Sequence, residues 1–261
     1  MFMKWRGKRA LVTGASSGIG REIAEQLARS GVHLVLSARR VNRLEESASE
    51  LREKYGVEVQ VIADDLSLPE APGRLFEKTE GNGLPIDLLI NNAGLGHRGD
   101  FDAIELEQTQ IQIQVNIVAV TELTLLFMGP MKNRGEGWIL NVASVGGFLP
   151  VPGYATYGAG KAFVRSFTEA VADETRGTGV TLTALCPGPI KTEFAEKAGH
   201  QLRPWQEASY KPVGPCARAG LKGLYRGSSI VIPGLLMKLS VFSMRFVPRR
   251  LTTWMARVVM S

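Results

Sequence analysis

Cysteine is scarce in this chain: two in 261 residues, Cys186 and Cys216. Two thiols exclude a disulfide framework, and Cys186, at the end of an apolar run, reads as a buried structural residue. Histidine is nearly as scarce. His33, His97 and His200 stand far apart with no ligand spacing, so no metal centre is expected. His97 reads as part of a solvated loop rather than a pocket. No run of 18 uncharged apolar residues occurs, which argues against a conventional membrane span. Lys4, Arg6, Lys8 and Arg9 lead directly into an apolar stretch and do not read as a secretory signal. These absences fit a reducing, cytoplasmic setting. Acid is missing from two segments in particular. No Asp or Glu lies between Gly31 and Glu45, and none lies from Ala208 to Ser261.

What is present is a chain of ordinary hydrophobicity, 44%, in which apolar runs alternate with helical periodicity. That alternation predicts one doubly wound α/β domain. Arg9–Thr13 reads as a short buried strand. Gly14-Ala15-Ser16-Ser17-Gly18-Ile19-Gly20 follows, and then Ile19, Ile23, Leu27 and Ala28 recur at helical spacing up to Gly31. A glycine-rich turn between a strand and a helix lets backbone approach a pyrophosphate, with the unpaired N–H groups and positive dipole end of the helix facing it. The spacing is Gly-x-x-x-Gly-x-Gly. The next strand, Val32–Ser37, ends in Ala38-Arg39-Arg40. An acid near this point would take a ribose 2′-hydroxyl, whereas arginine suits a 2′-phosphate. NADP(H) is therefore the expected cofactor, with NAD(H) possible.

Tyr157 and Lys161 stand four residues apart, thirteen and more residues after Ser144. Four residues is about one helical turn, so both side chains can leave one helix face. A phenol of ordinary pKa about 10 is a poor acid–base catalyst at neutral pH, and a nearby ammonium is expected to bring it down. A serine held close by can hydrogen-bond a substrate oxygen.

Thr13-Gly14-x-x-x-Gly18-Ile19-Gly20, Asn91-Asn92-Ala93-Gly94, Asn116, Ser144, Tyr157-x-x-x-Lys161 and Pro187-Gly188 occur in the order found in the short-chain dehydrogenase/reductase (SDR) family, which the chain resembles over about residues 7–234. The resemblance implies a single-domain, Rossmann-like, doubly wound parallel sheet of about seven strands with helices on both faces. It implies Tyr157 as catalytic acid/base, Lys161 as its partner and nicotinamide-ribose ligand, Ser144 as the substrate anchor and Asn116 as holder of a relay water. Gly14, Ser16, Ser17, Gly18, Ile19 and Gly20 would cradle the cofactor, with Arg39 and Arg40 at its 2′-phosphate. Asp65 and Leu66 would flank the adenine, and Asn91 the adenosine ribose. Pro187, Gly188, Ile190 and Thr192 would line the nicotinamide side. Relatives often carry Ser-Ala-Ser where this chain has Gly158-Ala159-Gly160. The two glycines would soften the helix start or let other groups approach it. The implied reaction interconverts a small carbonyl compound and its alcohol, on an apolar substrate such as a long-chain acyl, steroid-like or aromatic ketone, in a homodimer or homotetramer. A non-catalytic dinucleotide-binding sensor is the alternative. An epimerase would expect a larger domain.

Further expected elements are a helix over Arg43–Tyr55, strands over Val57–Ala63, Ile86–Ile90, Trp138–Ala143 and Val180–Leu185, and helices over Pro69–Thr79 and about Tyr154–Arg176. Glu105–Met128 is ambiguous between a strand-like alternation and a helical stripe; length and the resemblance favour one long helix. Residues 193–211 would form a lid over the substrate, with Phe194, Leu202, Trp205 and Tyr210 giving it an apolar side. A last strand spans Ser228–Gly234. Residues 1–234 thus form the catalytic domain, and 235–261 an extension that Pro248 should split into two short helices. Ala208–Ser261 holds nine of the 31 cationic side chains and no acid. This basic, apolar tail suits a membrane surface, a partner subunit or the rim of the substrate pocket. It lacks a nucleic-acid-reading motif.

Overall fold

The computed structural model of the protein describes residues 2–200 and 203–260. Strands β1 (Arg9–Thr13), β2 (His33–Ala38), β3 (Val59–Ala63), β4 (Leu88–Asn91), β5 (Gly137–Val142), β6 (Val180–Leu185) and β7 (Ile230–Val231) form one parallel sheet in the order β3-β2-β1-β4-β5-β6-β7. The helices are α1 (Gly18–Ala28), α2 (Val41–Tyr55), α3 (Ala71–Glu77), α4 (Leu106–Ile113), α5 (Ala119–Arg134), α6 (Ala155–Glu174), α7 (Phe194–Lys197), α8 (Pro204–Ser209), α9 (Val213–Arg226), α10 (Leu235–Ser243) and α11 (Arg249–Met260). The chain winds outward from β1 to β3 and then returns to β4 beside β1. This is the expected Rossmann-like fold, and its switch point lies between β1 and β4.

Strand alternation assigns side chains to two cores. Ala10, Val12, Leu34, Leu36, Leu88, Ile90 and Leu140 face α1, α2 and α9, where they meet Ile23, Leu27, Leu44, Leu221 and Leu224. Their neighbours Leu11, Val35, Leu89 and Ile139 face the other way, onto Leu75, Ala119, Leu123, Phe127 and Met131. Each such aliphatic side chain contributes about 1.5–3 kcal/mol on burial. By length and composition alone Leu106–Arg134 would also pass as a membrane-crossing helix. Its buried stripe instead packs beneath the sheet, as in a core helix.

Several boundaries differ from expectation. The 105–128 region is indeed helical, but Gln114–Val118 is a π-turn joining α4 to α5. Such turns add a residue to the hydrogen-bonded ring and often mark functional sites. β7 is only two residues long, because Pro233 cannot extend the ladder. α1 ends at Ala28, and Gly31 takes its left-handed turn beyond the cap. Pro248 does separate α10 and a short 3-10 turn, Met244–Phe246, from α11.

Candidate active site

The C-terminal ends of β1, β2, β4, β5 and β6 open into a cleft of about 510 Å³, within the range of small-molecule and cofactor sites. Its first wall is the turn after β1. Gly14 has φ 63° there, a region open to glycine at little cost. Gly20 sits in the first turn of α1, where an added Cβ would stand 2.5 Å from the Gly14 carbonyl oxygen and against Asn92 Nδ2. Asn92 Nδ2 donates to the carbonyls of Thr13 (3.0 Å) and Gly14 (3.2 Å), tying the end of β4 to the turn. Ser17, the N-cap of α1, makes no side-chain capping bond, so the first-turn N–H groups are left for a ligand. A narrow backbone cradle at an uncapped helix N-terminus fits a dinucleotide pyrophosphate.

Ser144 follows β5, and Tyr157 and Lys161 lie on successive turns of α6; all three line the cleft. Ser144 Oγ accepts from Gly146 N at 3.1 Å, which fixes the loop, and its hydrogen bond to Tyr157 favours the phenolate. Burial acts the other way and prevails, pushing the Tyr157 phenol up to about 12. Lys161 is not among the groups that shift this phenol. Lys161 is buried, its Nζ donates to the Val142 carbonyl at 2.7 Å, and it lies 5.8 Å from the Tyr157 ring centre. Burial also brings the ammonium down to about 8.

Those shifts set a pH dependence. Between about pH 8 and 10.5 the unfolded lysine holds its proton more tightly than Lys161 does, so stability rises with pH through that window. Tyr157 opposes this only above its ordinary value of 10, where the folded state retains the proton. Chemical denaturation of the cofactor-free protein should thus show a gain of about 2 kcal/mol between about pH 7.5 and 9.5, relative to Lys161→Met.

Asn116 lies in the π-turn, outside the cleft lining but behind Lys161. Its Oδ1 accepts from Leu95 N at 2.9 Å and its Nδ2 donates to Leu95 O at 2.8 Å. Both Asn116 Oδ1 and Lys161 Nζ would lie 3.3 Å from a Cβ on Gly94, so that glycine permits their approach. Gly158 and Gly160 likewise admit neighbours: a Cβ at Gly158 would meet Val151 at 3.3 Å, and one at Gly160 Ile117 at 3.6 Å.

Ser16, Ser17, Gly18, Ile19, Arg39, Arg40, Asp65, Leu66, Pro187, Gly188, Ile190 and Thr192 line the cleft. Asn91 does not. Its side chain is turned into the core, where Nδ2 donates to Thr124 Oγ1 and Asn141 Oδ1. Alternation along β4 presents Asn92 to the cleft in its place. His97, expected in solvent, lines the cleft, whereas Trp205 of the lid is exposed outside it. Leu202 lies outside the described residues. Phe194 and Tyr210 supply the lid's aromatic wall, and the Phe194 ring stands 5.1 Å from that of Tyr157.

The two arginines have different settings. Arg39 is well exposed and pairs loosely with Asp65 at 3.8 Å. Arg40 donates to Ser16 Oγ (2.9 Å), Ser17 Oγ (2.7 Å) and Glu193 of the lid (2.9 Å). Arg43 joins the same carboxylate at 2.5 Å. Lys197, Arg43 and Arg40 together hold Glu193 down to about 2. The Glu193 and Arg43 contribution is invisible in the sequence, because it depends on the segment after β6 lying against the start of α2.

A backbone cradle at the switch point thus stands above a Ser–Tyr–Lys cluster, which joins a site suited to a pyrophosphate with groups able to move a proton. Residues 8–203 match the short chain dehydrogenase family, and the chain belongs to it. The chain is 34% identical over 194 residues to a very-long-chain 3-oxoacyl-CoA reductase of Rattus norvegicus, covering 73% of this chain and 62% of that relative. It is 35% identical over 186 residues to a 7beta-hydroxysteroid dehydrogenase of Collinsella aerofaciens, covering 71% and 70%. A short-chain dehydrogenase from Sphingobium yanoikuyae in complex with NADPH superposes with a TM-score of 0.84 at 32% identity, over 94% of this chain and 95% of that one. One from Burkholderia phymatum in complex with NAD gives 0.83 at 26%, over 94% and 96%.

Proposed function

We propose that the protein is an NADP(H)-dependent reductase of an apolar ketone of medium size, such as a long-chain acyl, steroid-like or aromatic carbonyl compound. The observation that carries this reading is the gathering of Ser144, Tyr157 and Lys161 on the cleft wall beside the glycine cradle. When bound, the nicotinamide supplies the hydride to the carbonyl carbon. Ser144 orients the carbonyl oxygen, and Tyr157 gives that oxygen its proton. Lys161 passes a proton back to Tyr157 and binds the nicotinamide ribose. Because the Asn116 side chain is committed to Leu95, Asn116 would hold the relay water through its backbone in the π-turn.

The apolar substrate class rests on Phe194, Tyr154, Val151 and Tyr210 around the cleft, and on the names of the acyl and steroid enzymes it is similar to. The reading further takes the enzyme as cytoplasmic and as a homodimer or homotetramer. Leu125 and Phe163, exposed on α5 and α6, suit a contact between copies. Binding of the 2′-phosphate would draw Arg40 and its serine partners away from Glu193, with Arg39 alongside. Arg39→Asp is expected to lower the NADPH-over-NADH ratio of kcat/KM by about one to two orders of magnitude, the equivalent of one charge-assisted contact of about 1.5–3 kcal/mol. A ketone panel run with both cofactors tests it. Equal use of NADH by the wild type would remove the 2′-phosphate reading. Saturable NADPH binding without turnover on any ketone would favour a sensor.

A further inference from the structure

We propose that α10, the 3-10 turn after it and α11 form a docking surface for an anionic lipid bilayer, lying beside the mouth of the cleft. The inference does not depend on which carbonyl the enzyme reduces. On α10, Met237 and Val241 point inward, one turn apart; Val241 is buried, and Met237 packs so closely on Gly188 that a Cβ there would stand 2.8 Å from its Cε. The opposite side of the helix carries Leu235, Leu236, Leu239 and Phe242, all exposed. Leu236 is 84% accessible and Phe246, in the following turn, 77%. On α11 the buried positions are Thr252 and Ala256, one turn apart, while Leu251, Trp254 and Met255 are exposed. Both helices therefore turn their small or inward-facing residues to the protein and their large apolar residues away from it. So many large apolar side chains on adjoining helices mark an interaction surface rather than scattered exposure.

Charge identifies the occupant. Lys238, Arg245, Arg249, Arg250 and Arg257 are exposed around this surface, and none of them takes part in an ion pair among the described residues. From Ala208 onward the chain has no acid with which to pair them. A two-fold contact between two copies of this surface would set arginine against arginine with no carboxylate between. A bilayer with anionic headgroups satisfies both features: acyl chains take the leucines and aromatics, and phosphates take the cations. Because Met237 rests on Gly188, the helix that carries the docked face abuts the Pro187–Gly188 segment lining the cleft.

Co-sedimentation of the full chain with vesicles tests this. With phosphatidylcholine containing about one-third phosphatidylglycerol, the wild type should bind, and salt should weaken the binding; phosphatidylcholine alone should retain far less. Replacing Arg249 and Arg250 together by glutamate should lower the partition coefficient at least about twenty-fivefold, and Leu236→Glu with Phe246→Glu at least about tenfold. NADPH binding in both variants should match the wild type, which shows that the cleft has folded. Failure of the wild type to bind anionic vesicles would overturn the proposal, as would wild-type binding by either variant. A fall in molecular mass on Leu236→Glu with Phe246→Glu, without change in vesicle binding, would overturn it in favour of a second copy of the chain.

Discussion

Tyr157→Phe is expected to lower kcat by about three orders of magnitude, and to leave NADPH affinity within about twofold of the wild type. The substitution removes one oxygen. The ring keeps its packing against Phe194 at 5.1 Å and Tyr154 at 6.0 Å, so the fold has little reason to change. What is lost is the phenol oxygen that meets the Ser144 side chain in a hydrogen bond. A positioned general acid typically supplies about 10²–10⁴ in rate, and Lys161, one turn further along α6, is directed to the Val142 carbonyl instead. Stopped-flow turnover and a fluorescence titration with NADPH separate the two quantities. Loss of binding together with turnover would mean that Tyr157 acts through structure; retention of both would mean that it is not the proton donor.

Gly20→Ala is expected to weaken NADPH binding by at least about a hundredfold and to destabilise the cofactor-free protein by about 1–3 kcal/mol. The new methyl would stand 2.5 Å from the Gly14 carbonyl oxygen. That oxygen is backbone and also accepts from Asn92 Nδ2, so relief requires the turn to move as a whole. Moving it withdraws the N–H groups of the α1 N-terminus from the pyrophosphate position. Isothermal titration and thermal unfolding report the two effects. Unchanged affinity would show that the turn does not cradle the cofactor.

The parts of the site that the sequence makes legible are those set by local geometry. The glycine spacing specifies a strand–turn–helix joint, and Tyr157 and Lys161 fall on one helix face because four residues make about a turn. The alternating apolar runs likewise specify a sheet buried on both sides. Less legible are features that depend on distant segments. Which of Asn91 and Asn92 reaches the cleft is a matter of where β4 ends, and a one-residue shift exchanges their roles. The Glu193 link to Arg40 and Arg43 joins residues about 150 positions apart, and no local pattern announces it. The high Tyr157 pKa arises from burial, which a charge pair read along one helix does not reveal. His97 enters the cleft because its loop packs back against α4, where its N–H donates to Gln112 Oε1 at 3.1 Å. Phe2 and Trp5 join Trp138 and Tyr225 in an aromatic cluster, although the N-terminal residues read from the sequence only as a basic lead-in.

The proposed reaction moves a hydride from nicotinamide to a ketone carbon while Tyr157 protonates the oxygen. Its most direct test is reduction of an apolar ketone with NADPH deuterated at the transferred C4 position, followed by mass spectrometry of the product. The expected product is an alcohol with one deuterium on the carbinol carbon in the wild type, with almost no alcohol from Tyr157→Phe. An alcohol without the label, or labelled alcohol formed equally fast by Tyr157→Phe, would contradict it.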